Sequence, residues 1–231
     1  MTHDMPEWAS RIARARHGCD HPYAVLDPRR TALVVIDMQN AFMVREGAAS
    51  FIAPSLEIVP VVNRLADAIR DAGGRVVWVQ NTYLPEAVGE WSNWFGMNTP
   101  AVNAASLAAQ ARGSFGHALH ETMDARDGDL RIEKHRFSAF MPEGSDLAAQ
   151  LRALDCDTVV IAGVATNVCC ESSARDAAQM NFRTIMVSDA TATSDRGAHL
   201  AALATFYSIF GDVMTADEVI AGLEVEAEAA A

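Results

Sequence analysis

The chain has 231 residues, half of them hydrophobic and 21% charged, with a formal net charge of −12. That length suits one domain with at most an appendage, and the apolar fraction excludes global disorder. The acidic balance argues against a nucleic-acid or anionic-membrane partner, since both need a basic face, and no apolar run reaches the roughly 20 residues of a membrane span.

Four cysteines, two of them adjacent at Cys169 and Cys170, do not make a disulfide framework in a chain of this size. The basic residues near the N-terminus have no apolar stretch behind them. The expectation is a cytoplasmic protein with free thiols.

Residues 1–30 show no clear periodicity and contain Pro6, Pro22 and Pro28. They read as an arm packed on the domain or on a neighbouring subunit. A regular pattern begins at Thr31 and defines one domain over 31–222. Residues 223–231 form an acidic, Ala-rich tail that is expected to fray. Thr31 to Ile36 (TALVVI) is a continuous β-branched run, the pattern of a strand buried on both faces. Leu56 to Asp71 carries apolar residues at helical spacing and stops at Gly73-Gly74. Arg75 to Val79 is a second strand and Asp129 to Ile132 a weaker third. Asp146 to Leu154 is a short helix, Thr158 to Ala162 a fourth strand, and Asn167 to Met180 a helix. Arg183 to Val187 is a fifth strand, His199 to Phe210 a helix, and Asp212 to Met214 a last strand.

Strands that alternate with helices and are apolar throughout mean a parallel sheet covered on both faces, an α/β architecture. Right-handed crossovers put all the strand C-termini on one edge, where ligands bind in open sheets of this kind. Asp37, Lys134 and the Gly163 to Cys170 turn collect at that edge. Residues 81–128, the longest irregular region, include an Ala-rich helical stretch and read as a substrate cover.

The segment VVIAGVATNVCCESSARDA carries the most chemistry. A strand ends at Ala162, Gly163 permits a tight turn, and a helix begins near Thr166 or Asn167, either of which suits an N-cap. Cys169 then falls in the first helical turn. There the unpaired N–H groups and the positive end of the helix favour thiolate and can receive an oxyanion. A small apolar filler is the competing reading of Cys169. Cys170 lies about 100° further round the helix, so only one of the two can face a given pocket, and geometry alone does not choose between them. Cys156 and Cys19 read as structural. Asp37, at the end of an apolar strand, is placed to take a proton from a thiol, with a cap or surface carboxylate as the competing reading. Lys134 beside an Asp and a Cys would hold the carboxylate ionised and stabilise a thiolate. No G-x-G-x-x-G or phosphate-loop signature follows a strand.

Taken together, VVIDMQNAF around Asp37, KHRFSAF from Lys134 and GVATNVC from Gly163 resemble the isochorismatase-like cysteine hydrolase superfamily, over roughly Thr31 to Val219. The resemblance implies a three-layer α/β/α sandwich with a six-stranded parallel sheet of order 3-2-1-4-5-6. It makes Cys169 the nucleophile, in a triad with Asp37 and Lys134. It also implies a cis peptide at Val164–Ala165 and an oxyanion hole from the Ala165 and Cys169 N–H groups. Hydrolysis of a C–N bond in a small amide, ureido or carbamoyl substrate through a thioester, releasing ammonia or carbamate, is the implied activity, and the wording is closest to the ureidoacrylate amidohydrolase and carbamoyl-amide branch. A homo-oligomer, dimer or tetramer, is the implied assembly. Asn40, Gln80 and Tyr83 are candidates to orient the substrate. Trp91, Trp94, Phe42, Phe137 and Phe140 are candidates to wall the pocket, with core packing as the competing reading of each. The metal-binding histidines of nicotinamidase members have no counterpart after the second strand. His117 and His120 read as surface residues, so neither a metal nor another cofactor is expected. The rival readings are an ether or ester hydrolase without covalent catalysis, a Cys–His enzyme with His135 as base, and a non-catalytic small-molecule binding protein.

Overall fold

A computed structural model describes residues 5–46 and 50–229 of the chain. Six parallel strands form one sheet in the order β3-β2-β1-β4-β5-β6. They are β1 (Thr31–Ile36), β2 (Arg75–Asn81), β3 (Leu130–Lys134), β4 (Thr158–Val164), β5 (Arg183–Ala192) and β6 (Asp212–Met214). Every residue of β1 is buried. Its alternate side chains divide between two cores, Ala32, Val34 and Ile36 on one face and Leu33 and Val35 on the other.

The helices are α1 (Glu7–His17), α2 (Asn40–Met43), α3 (Val59–Asp71), α4 (Ala87–Glu90), α5 (Ser92–Met97), α6 (Pro100–Gln110), α7 (Leu147–Ala153), α8 (Glu171–Gln179), α9 (Arg196–Ile209) and α10 (Ala216–Ala229). On one face α3 lays Val62, Leu65, Ala66 and Ile69 against Leu33, Val35 and Trp78, and α10 adds Val219. On the other, α1, α7, α8 and α9 cover the sheet through residues such as Ala13, Leu151, Ala177 and Phe206. Burying each large aliphatic side chain of this kind is worth about 1.5–3 kcal/mol. The three-layer sandwich and its strand order therefore match the expectation from sequence.

Three segments differ in detail from the reading of the sequence. The N-terminal arm contains a full helix, α1, which buries only Ala9 and Ala13 and packs on α9. Two alanines give too little hydrophobic contrast for the periodicity to show. Helix α10 runs to Ala229, so the acidic tail is helical over its described part, while residues 230–231 lie outside the described residues. Strand β5 runs to Ala192, five residues beyond the expected end at Val187, because its polar continuation re-pairs with Gly163 and Val164 after an irregularity in register.

The strand order reverses between β1 and β4, where Ile36 pairs with Gly163. Here a glycine is required: Gly163 has φ +108°, and a Cβ would stand 2.1 Å from the Ile36 carbonyl oxygen. The cover closes over the same edge. Backbone bonds from Asn40 N–H to Ala118 O and from Ala41 N–H to Gly116 O tie it to the segment after β1. Tyr83, Ala87 and Phe95 give the cover a small core of its own.

Candidate active site

Asp37 follows β1 in a left-handed backbone conformation, φ +57°, one that Asp tolerates better than most residues. Its N–H bonds to the Val79 carbonyl at 2.9 Å, and its carbonyl accepts from Gln39 at 2.7 Å. The carboxylate is 1% exposed. Lys134 closes β3, the strand beyond β2, and its side chain reaches across to β1. It is the only lysine in the sequence and is fully buried. Its ammonium lies 3.0 Å from Asp37 Oδ2, 3.4 Å from Cys169 Sγ, 3.0 Å from Asn81 Oδ1 and 3.1 Å from the Arg136 carbonyl. The Asp37 contact is an ion pair without hydrogen-bond alignment. Neither carboxylate oxygen has a well-aligned donor among the described residues, while Lys134, the Cys169 thiol and the Asn81 N–H stand close enough to favour its charged form.

The cysteine turn departs from the expected helix start. Thr166–Cys170 form a π-helical turn, with α8 beginning only at Glu171. Neither Thr166 nor Asn167 caps it. Thr166 Oγ1 instead meets His199 Nδ1 at 2.9 Å, and the residue ahead of the turn is Ala165. The Val164–Ala165 peptide is cis. The Ala165 carbonyl accepts from the Val168 and Cys170 N–H groups, passing over the Cys169 N–H between them. Ser173 Oγ donates to the Cys169 carbonyl at 2.6 Å and accepts from Ala139 N–H at 2.9 Å, clamping the turn to the loop after β3.

This geometry chooses between the adjacent cysteines. Cys169 faces the cavity, whereas Cys170 is fully buried with its sulfur toward the Ala162 carbonyl. Cys156 is buried and Cys19 exposed, and all four thiols are free.

Burial raises the Asp37 carboxyl above its ordinary range, against the lowering pull of the Lys134 ammonium. For Lys134 burial alone would lower the value, but the charges of Asp37 and Cys169 outweigh it and the ammonium is held charged. Burial, then the neighbouring Asp37 charge, push the Cys169 thiol up. The expectation that the helix start favours a resting thiolate is thereby overturned, because a dry site beside a carboxylate penalises a second negative charge. At rest the sulfur is therefore held as a thiol beside the Asp37–Lys134 pair.

Asp37 and Cys169 open on a cavity of about 230 Å³, with Lys134 buried behind them. Phe42, Tyr83, Trp94 and Phe137 form its aromatic walls, and Ala165 and Cys169 line it beside Asp37. Tyr83 is buried enough for its hydroxyl to be pushed up to about 12. Other expected contacts lie elsewhere. Asn40 donates to the Phe115 carbonyl at 2.9 Å and Gln80 to the His117 carbonyl at 2.8 Å, so both brace the cover rather than line the cavity. Trp91 stands behind the wall, stacked on Trp94 at 4.6 Å and edge-on to Phe137. Phe140 packs on Phe182 in the core. His135 turns Nδ1 to the Thr82 carbonyl at 2.9 Å and does not line the cavity. His117 is buried, not superficial, with Nε2 2.8 Å from Thr82 Oγ1. Among the described residues no three His, Cys, Asp or Glu side chains converge as metal ligands, and no described helix is long and apolar enough to cross a membrane.

Asn81, Ser106, Gln110, Val168, Ser50 and Ile52 also line the cavity without having been expected there. Asn81 had a usable signal, since it ends β2 beside Lys134 in register. Its Oδ1 accepts from Lys134 and its Nδ2 donates to Gln110 Oε1, while Gln39 brackets its backbone. Ser106 and Gln110 had none, because an Ala-rich helix says nothing about which face looks inward.

The Isochorismatase domain model matches residues 31–218. The ureidoacrylate amidohydrolase RutB of Methylobacterium radiotolerans is 34% identical over 223 residues, covering 87% of this chain and 84% of the relative. The crystal structure of a cysteine hydrolase from Pseudomonas syringae pv. phaseolicola superposes with a TM-score of 0.77 at 28% identity, covering 87% of this chain and 95% of that one. The N-carbamoylsarcosine amidase of Thermoplasma acidophilum superposes with a TM-score of 0.65 at 26% identity, covering 81% and 97%.

Proposed function

The chain belongs to the isochorismatase family, and from that premise we propose that it hydrolyses a C–N bond of a small amide, ureido or carbamoyl compound through a Cys169 thioester. Relatives named as an amidohydrolase and an amidase support hydrolysis at C–N bonds. The observation that carries the covalent route is the approach of one ammonium to both Asp37, at 3.0 Å, and Cys169, at 3.4 Å, on the wall of a small cavity.

Asp37 takes the thiol proton. Its charge then no longer opposes the sulfur, and Lys134 is left facing the thiolate. The thiolate attacks the substrate carbonyl carbon. The carbonyl π electrons move to oxygen, which rests on the Ala165 and Cys169 N–H groups, each such donor being worth about 3 kcal/mol. The C–N bond breaks as Asp37 returns its proton to the leaving nitrogen, releasing ammonia or an amine. Water then gives a proton to Asp37 and its oxygen to the acyl carbon. The thiolate leaves, regains the proton, and the acid product departs.

The test is an ammonia-release screen over small amides, ureas and carbamoyl compounds, joined to intact-mass measurement of a trapped acyl adduct. An adduct located on Cys169, and loss of at least about a thousandfold in kcat for Cys169→Ala and Asp37→Asn, are expected. Most of the turnover surviving in Cys169→Ala would transfer the reaction to direct acid catalysis by Asp37. No turnover and no adduct on any compound would leave a binding protein.

A further inference from the structure

Helix α6 buries the wrong residues for a packing helix. Its buried side chains are Ser106 and Gln110, four positions apart on one face, at 9% and 4% exposure. Val102, in contrast, is 51% exposed, and Ala101, Ala104, Ala105 and Ala108 face outward. An amphipathic surface helix does the reverse. Both polar side chains line the cavity that holds Asp37 and Cys169. Gln110 Oε1 is occupied by Asn81 Nδ2, so its remaining polar group is the Nε2 donor. Among the described residues neither Gln110 Nε2 nor Ser106 Oγ has a protein partner. Neither atom is sealed in the protein, so both reach the open cavity, where a ligand can meet them.

Among the described residues that line it, the cavity also lacks a compensating cation. Its polar lining beyond the triad is Ser50, Asn81, Tyr83, Ser106 and Gln110, all neutral, and Asp37 and Lys134 neutralise each other. The nearby guanidiniums are engaged outside: Arg45 lies over the Phe51 ring, and Arg136 lies over Trp91 while donating to the His135 and Glu90 carbonyls. Neither lines the cavity.

We propose that α6 is the specificity element of this site, and that Ser106 and Gln110 receive an uncharged hydrogen-bond acceptor of the substrate. The preferred substrate is then a small neutral amide or urea bearing a hydroxyl, ether or carbonyl group. It is not a carboxylate such as ureidoacrylate, the compound in the name of the RutB relatives. A carboxylate brought into a dry cavity without a cation stays uncompensated, whereas a neutral acceptor costs little once it is hydrogen-bonded. The inference rests on the amidohydrolase reading above.

The test is a matched pair: ureidopropionate, and the alcohol in which a hydroxymethyl group replaces its carboxylate. The alcohol is expected to show a kcat/KM at least about a hundredfold higher. In Ser106→Ala, KM for the alcohol rises about three- to tenfold with kcat nearly unchanged. Gln110→Glu, which keeps an acceptor for Asn81, worsens the acid further. Calorimetric binding to Cys169→Ser reads the same preference without turnover, so a failure of catalysis still leaves the charge selectivity decided. Equal or better use of the acid overturns the inference, the more clearly if Arg45→Ala abolishes that preference. Unchanged KM in both α6 variants overturns the assignment of the helix. Absence of any Cys169 adduct with either compound, alongside selective binding, would sink the amidohydrolase reading alone.

Discussion

Replacing Lys134 by Met is the most revealing perturbation of this molecule. The ammonium is fully buried and lies 3.0 Å from Asp37 Oδ2. At an effective dielectric of 20 that separation corresponds to a gross attraction of about 5–6 kcal/mol. Removing one partner of a buried pair typically costs about 3–5 kcal/mol, because the other charge is left uncompensated. Asp37 has an escape: it can take up a proton. Burial already raises its carboxyl, and Lys134 is the first influence holding it down. In Lys134→Met the native state therefore keeps a proton that the unfolded chain releases near pH 4. Binding one more proton in the native state makes stability fall with rising pH, by about 1.4 kcal/mol per unit, until Asp37 ionises. Urea unfolding of wild type and variant at several values between pH 5 and 8 measures this directly. The variant should be nearly as stable as wild type at the acid end and about 3–4 kcal/mol less stable at pH 8, with unchanged m. Parallel stability curves would refute the coupling between Lys134 and Asp37 on which the proposed catalytic cycle depends.

Other expectations follow from the same geometry. Because Asp37 must be ionised to act and its carboxyl is raised, kcat/KM should climb with pH through a midpoint above the ordinary carboxylate value of about 4, read from a pH–rate profile. Cys170→Ala should keep near-wild-type kcat and lose about 1 kcal/mol of stability, while iodoacetamide inactivation tracks Cys169 by peptide mass. Gly163→Ala places a methyl 2.1 Å from the Ile36 carbonyl at a positive φ, so β1 and β4 must separate at their ends. Either no folded protein or a fold with kcat down at least about a hundredfold is expected, since small misplacements of reacting groups are costly. His21 is raised by its bond to buried Asp212, so its contribution is full below the unfolded histidine value and is lost as pH rises through the folded one. His21→Asn should therefore cost about 1–2 kcal/mol at pH 5.5 and much less at pH 9, by thermal or urea unfolding.

The order of elements and the parallel sheet were legible because β1, β4 and β5 are apolar runs between helices, and right-handed crossovers leave few ways to connect them. Asp37, Lys134 and Cys169 were legible as residues at strand ends on one edge, and a resemblance in motif selected Cys169 over Cys170. What the chain could not reveal by itself depends on distances between segments far apart in sequence. The resting thiol is one case: the helix-start argument is local, while the burial and the Asp37 charge that override it arrive from β1. The roles of Asn40 and Gln80 are another, for both amides spend their donors on carbonyls of the cover. Helix α1 hid behind two alanines, and α6 concealed which of its faces turns inward. Hydrophobic periodicity reports whether a residue prefers to leave water; only packing decides what it meets when it does.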